Sequence, residues 1–450
     1  MGEGDAVSGM HIGYDLSFTH TEGGWARPGS WTGLDFPDVR MFMELARTAE
    51  RAGVGLLFFG DGTGIPSTWR GGIEPAVEWG IQWPRHDMSP VIAAMSTVTE
   101  RIGFGLTYSS TFMHPFYVAR LLNSLDHVTG GRIAFNVVAS TRGADAANYG
   151  FDELMEHGLR YERMEEFIDV CRALWDSVAP DAVLRDRTTG RFADPAKVHP
   201  IDHKGRFFAV KGPLASVPSP QHHPLIVQAG NSPRGIAASA RFADLVFGFG
   251  GSLAAQLRHR DLLDSALRAE GRDPAGVGIL WATQVVVGRT AAEARARRDE
   301  VHAFWNEESV GTYLSHNSGY DLSTLPHSFR LAELRDEIAA ANGSPAGLVG
   351  SLVAEFGEDH TMSRAEFFAH GRARATGLDH GLVGDLATVA DALEENFAAT
   401  GARGGYMFSS PLAMPSGFAD IGELLLPELR RRGALGPART GGTLRENLVV

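Results

Sequence analysis

From end to end the chain alternates between short apolar runs suited to strands and segments with the 3.6-residue apolar period of helices. Eight strand-like runs stand at 11–16, 54–59, 102–108, 133–139, 225–229, 244–249, 278–287 and 405–408, each followed by a helical pattern. Several are continuously apolar, as strands covered on both faces must be. Eight β-then-α units predict a (β/α)₈ TIM barrel rather than an open sheet. No Gly-x-Gly-x-x-Gly follows the first run, which weakens a dinucleotide-binding sheet further. The helix over 38–51 places Val39, Phe42, Leu45, Ala46 and Ala49 on one face, with Pro37 expected in its first turn and Gly53 closing it. The alternation breaks over 178–217 and 307–381. These are expected to be insertions in a single domain spanning 1–450, the second a lid, since it is too long for a plain connection.

Composition narrows the partners. The net charge of −13 argues against nucleic acid or an anionic membrane surface, both of which require clustered positive charge. The single Cys171 falls on an apolar helix face and reads as core. No apolar run approaches the roughly 20 residues of a membrane span. The N-terminal MGEGDAVSG lacks the basic start and apolar core of a signal peptide, so a cytoplasmic protein is expected. A catalytic metal is not expected: there is no His-x-His, His11 and His20 are far apart, and His222-His223 precede their strand at the wrong end of a barrel. A serine nucleophile lacks its Gly-x-Ser-x-Gly elbow.

Barrel chemistry sits at the C-terminal ends of the strands. That rule selects Asp61, Thr107, Asn136 to Ser140, Ala229 to Ser232, and Ser409-Ser410. Asp61 ends an apolar strand, where a carboxylate is costly unless hydrogen-bonded or used, although a loop-capping role also fits. In VQAGNSPRG, Gly230 lets backbone N–H groups approach an anion, and the helix beginning at Pro233 points its positive end there. Ser232 reads equally well as that helix's N-cap, and the two roles are compatible. His157 and Tyr161, four apart at a helix start, share one face and are expected to point inward near the barrel mouth. For such a pair a purely structural role is the commoner one.

Taken together, these motifs resemble the bacterial luciferase-like flavin monooxygenases, within them the group containing nitrilotriacetate, dibenzothiophene sulfone and long-chain alkane monooxygenases. The resemblance runs nearly end to end. It includes EPAVEWG, TERIGFGLTYSSTFMHPFYVARLLNSLDHVTGGRIAFNVVAST, NYGFDELMEHGLRYERMEEF, VQAGNSPRG and the tail PELRRRGALGPARTGGTLRENL. It implies a luciferase-like barrel binding FMN at its strand ends. FMNH₂ would come from a separate NAD(P)H:flavin reductase and use O₂ through a flavin 4a-(hydro)peroxide to oxygenate a small organic substrate. It also implies a homodimer or homotetramer. The implied cofactor-binding residues are Asp61, Thr107, Asn136, Ser140, His157, Tyr161, Ala229, Gly230 and Ser232, with His157 and Tyr161 also the implied catalytic pair. Departures from the family pattern are Phe135 for its usual Trp, Ala139-Ser140 for Thr-Ser, and the tail around Ala438-Arg439. Trp69, Trp79, Trp83 and Trp31 point to an aromatic or heterocyclic substrate. The alternatives are a deazaflavin-dependent dehydrogenase on the same barrel, or a flavin-binding protein without turnover.

Overall fold

A computed structural model describes residues 9–17, 25–26, 30, 37–249, 251–341, 347–412, 414–436 and 441–448. His20, Trp31 and Ala438-Arg439 lie outside the described residues. Eight parallel strands form the barrel: β1 (His11–Asp15), β2 (Leu56–Phe59), β3 (Gly103–Ser109), β4 (Ile133–Val138), β5 (Leu225–Gln228), β6 (Leu245–Gly248), β7 (Gly278–Gly288) and β8 (Gly404–Ser409). Each pairs with the next in order, and β8 pairs with β1, so the sheet closes and leaves no edge. The far end of β7 also pairs with a short strand, Leu382–Asp385.

Side-chain alternation divides the apolar residues between two layers. Leu56, Phe58, Ala134, Leu225, Val227, Leu245, Leu280 and Met407 fill the barrel interior, joined at its N-terminal end by Leu444 and Leu448 of a terminal helical turn. The opposite faces of the strands pack against the helices in a larger core. Helix α1 (Val39–Ala52) shows why the boundaries fall where they do. The Asp38 side chain accepts the Arg40 N–H and fixes the start, while Gly53, at φ 83°, takes the left-handed conformation that ends it. Pro37 therefore precedes the cap instead of lying in the first turn. Of the later helices, α2 (Pro115–Thr129) follows β3, α3 (His157–Asp176) follows β4, and α4 (Pro233–Phe242) follows β5.

Residues 178–217 form two small antiparallel hairpins, Val183–Asp186 with Arg191–Ala193 and His203–Lys204 with Ala209–Val210. Glu166 of α3 holds the second one, accepting the backbone N–H groups of Phe207 at 3.0 Å and Phe208 at 2.9 Å. Residues 307–381 fold into α5 (Glu307–Ser318), α6 (Leu331–Ala340), α7 (Leu348–Phe356) and α8 (Arg364–Ala375), with a two-stranded ribbon. They share a separate apolar core with Trp69 and Ile81 from the loop after β2. Trp69 is buried against Gly311 of α5, where a Cβ would lie 2.2 Å from the indole. Trp79 Nε1 donates to Glu308 at 3.2 Å, and Arg70 pairs with the same carboxylate at 2.6 Å. Among the described residues no helix is long and apolar enough to cross a membrane.

Candidate active site

A cavity of about 430 Å³ opens at the C-terminal ends of β2, β3 and β4. Asp61, Thr107 and Ser140 line it, together with Gln82, Trp83, Arg85, His86 and Asp87 from the loop after β2. Tyr108, Phe112, Met113 and Tyr149 complete its aromatic and apolar side.

Behind the wall residue Thr107 runs a directed chain of hydrogen bonds that reaches Asn136, which is not itself among the lining residues. The Thr107 hydroxyl donates to the Phe59 carbonyl at 2.8 Å, so it can only accept from its other neighbour. That neighbour is Asn136, paired directly across from Thr107 in the strand register, whose Nδ2 donates to it at 2.9 Å. The amide is thereby oriented, and its Oδ1 is left buried with no partner. A buried acceptor left unpaired costs about 1–3 kcal/mol, and a ligand N–H recovers that cost on binding.

Ser140, two residues past the end of β4, takes a left-handed conformation, φ 48°, and donates to Ser109 Oγ at 2.8 Å. Strain of this kind in a non-glycine residue persists where the surroundings over-determine it, and here it turns the chain at the cavity wall. Asp61 accepts the Gly62 N–H at 2.8 Å, so the capping role is present alongside its place in the wall.

A second cluster forms around the start of α4. Ser232 is the N-cap, its Oγ accepting the Gly235 N–H at 3.0 Å, with Pro233 in the first turn. The hydroxyl proton stays available to an anion at the helix end. Gly230 and Gly235 meet closely: a Cβ on Gly235 would lie 2.9 Å from Tyr161 Oη and 3.0 Å from Gly230 Cα. Tyr161 is buried here, its ring 5.1 Å from that of His157 and 5.5 Å from the Arg234 guanidinium. His157, expected to point inward, is exposed, because it is the first residue of α3 and sits just past the Glu156 cap. His157, Tyr161, Gly230 and Ser232 therefore stand apart from the cavity lining, while Ala229 packs against the barrel interior. Arg234 is committed to Glu165 at 2.6 Å.

Several groups escaped the sequence reading. Asp15 ends β1 just as Asp61 follows β2; burial holds its carboxyl above the usual range despite hydrogen bonds from Ser17. Ser17 Oγ in turn accepts the Gly60 N–H at 2.6 Å and ties the two strand ends together. Asp145 is buried and accepts the N–H groups of Thr63 at 2.8 Å and Gly64 at 2.7 Å, fastening the loop after β2 to the loop after β4. Arg85 and Arg142 converge beside Gly62, where a Cβ would meet their Nη1 atoms at 3.1 and 2.8 Å. From α5, His316 faces these cations, and burial first, then their charge, lowers its imidazole to about 3. Arg160, next to Tyr161, is buried with its Nε unpartnered. A carboxylate closing an apolar strand was a readable signal for Asp15; the others are brought in by contacts between distant segments.

Trp83 lines the cavity, but Trp69 and Trp79 do not: they hold the helices of 307–381. The tryptophans of this loop thus serve mainly the second core.

A closed parallel barrel with a polar cavity at its strand ends and an anion-suited helix start defines a ligand-processing TIM-barrel enzyme. Residues 10–404 match the model of the luciferase-like monooxygenase family. The chain is 32% identical over 435 residues to the dibenzothiophene-sulfone monooxygenase of Rhodococcus erythropolis, covering 96% of this chain and 93% of that one. It is 31% identical to nitrilotriacetate monooxygenase component A of Aminobacter aminovorans, covering 98% and 96%. Among solved structures, DmoA from Hyphomicrobium sulfonivorans superposes with a TM-score of 0.87 at 30% identity, over 98% of this chain and 92% of that one. A riboflavin lyase solved with modified FMN and riboflavin gives 0.84 at 28% identity, over 98% and 95%. The chain belongs to the luciferase-like monooxygenase family and is a flavin-dependent monooxygenase.

Proposed function

We propose that the protein is the oxygenating component of a two-component system, using FMNH₂ delivered by a separate NAD(P)H:flavin reductase to oxygenate a small aromatic or heterocyclic substrate. The observation that carries the cofactor assignment is the buried, unpartnered Oδ1 of Asn136, whose amide is held by Thr107, a residue of the cavity wall. A flavin ring edge carries the N–H donors this acceptor lacks. The residues present fit FMN at both ends. Thr107, Asn136, Ser140 and Asp61 would hold the ring system, and Gly230, Ser232 and the positive end of α4 would hold the phosphate. Tyr161 and His157 lie in the second cluster, so in this reading they serve the phosphate and ribityl arm.

When bound, reduced FMN supplies the electrons that divide O₂ between substrate and water. The chain's own work is positioning and exclusion of solvent. Trp83, Tyr108, Phe112 and Tyr149 offer flat apolar surface to an aromatic substrate. The body formed by 307–381 acts as a lid that limits water entry and loss of reactive oxygen. A relative named as component A of its monooxygenase supports the two-component reading, and the riboflavin lyase holding a modified FMN supports the cofactor.

The test is oxygen incorporation. Purified protein, a general flavin reductase, NADH and FMN are incubated under labelled O₂ with a panel of aromatic and heterocyclic compounds. One labelled atom in a product is expected. Oxygen-independent hydride transfer to or from a deazaflavin, with no label incorporated, would replace this reading with the dehydrogenase alternative.

A further inference from the structure

At the opposite end of the barrel, three side chains from two segments converge on one point. His222 Nε2 and His223 Nε2 lie 2.8 and 2.7 Å from the same Asp176 Oδ1. Asp176 is the last residue of α3, and the two histidines sit in the turn that leads into β5. Consecutive residues of an extended chain point to opposite faces. His222 instead takes a left-handed conformation, φ 60°, and the two rings stack at 4.8 Å and 18°. Both therefore present the same ring nitrogen to the same side. The potential ligand atoms of the three residues lie within 4.8 Å of one another.

We propose that Asp176, His222 and His223 form a binding site for a borderline divalent cation of the zinc class, clamping the end of α3 to the entry of β5. Two imidazole nitrogens and one carboxylate oxygen are the donor set such ions favour over calcium or magnesium, which take oxygen ligands. Zinc at about 2.0–2.2 Å from each atom requires the ligands to open slightly from their present spacing. Asp176 has the freedom to do so, since 57% of its side chain is exposed. His223 is braced by the Trp175 ring at 5.5 Å. Waters would complete the coordination. The site is remote from the strand-end cavity, so its role is to secure the fold beneath β5.

The experiment titrates the full-length, metal-stripped protein with Co²⁺, followed by visible absorption, and then displaces it with Zn²⁺. The variants are Asp176→Asn and His222→Asn; asparagine is chosen at 222 because it tolerates the left-handed conformation. One equivalent of Co²⁺ with d–d bands is expected in the wild type, with at least tenfold weaker binding in each variant. Zn²⁺ should raise the melting temperature of the wild type but not of the variants. Circular dichroism of the metal-free variants checks that they are folded. Absence of stoichiometric uptake by the wild type, or uptake undiminished in both folded variants, would overturn the assignment.

Discussion

Asn136 donates to the Thr107 hydroxyl at 2.9 Å across the β3–β4 register and is left with a buried, unpaired carbonyl oxygen. That arrangement leaves the free protein with an unmet acceptor that a ligand donor would satisfy. Replacing Asn136 with Ala should weaken binding of reduced FMN by about tenfold or more, the equivalent of one buried hydrogen bond. Anaerobic calorimetry measures it. Affinity equal to wild type would remove Asn136 from the flavin site.

Ser232 is assigned two roles, and they separate by ligand. Ser232→Ala removes the α4 cap and should cost about 1 kcal/mol of stability in denaturant unfolding. It should also weaken FMN binding severalfold while leaving riboflavin, which lacks the phosphate, unaffected. An equal loss for both ligands would reduce Ser232 to a cap alone.

The second core is tested through Gly311. With no room for a Cβ against Trp69, Gly311→Ala must shift α5 or the indole. The expected effect is poorer coupling: more hydrogen peroxide released per NADH consumed, with FMN affinity near wild type. Trp69→Ala should have the larger stability effect, about 3–5 kcal/mol. Unchanged coupling in Gly311→Ala would count against the lid.

His316 predicts a direction of pH dependence. Its imidazole is lowered to about 3, chiefly by burial, so the unfolded chain takes up a proton near its ordinary value of about 6.5 while the folded chain does not. Stability contributed by the neutral form is therefore present above about 6.5 and is lost as pH falls toward 3, with a slope of at most about 1.4 kcal/mol per pH unit. His259, lowered to about 4 for the same primary reason, adds to it. His316→Gln should flatten the fall in unfolding free energy between pH 6.5 and 4; an unaltered slope would show that the histidine is solvated in solution.

The barrel was legible because each strand is an apolar run ending in small or polar residues, and periodicity is local information. Asp61, Thr107 and Ser140 were legible for the same reason: each stands within two residues of a strand's C-terminal end. Arg85 and Arg142 were not, since nothing near either residue announces that they converge beside Gly62. The tryptophan-rich loop misled in a similar way. Trp69 looks like a ligand wall until Gly311 and the helices of 307–381 are folded against it. His157 shares a helix face with Tyr161, but at the first helical position the ring stays in solvent while the buried face begins one turn later.

The most direct test of the central claim is a crystal structure of the FMN complex. A ring N–H should lie within about 3.2 Å of Asn136 Oδ1, with the phosphate on Ser232 Oγ at the start of α4. A ring bound elsewhere, or a phosphate remote from Ser232, would contradict the account.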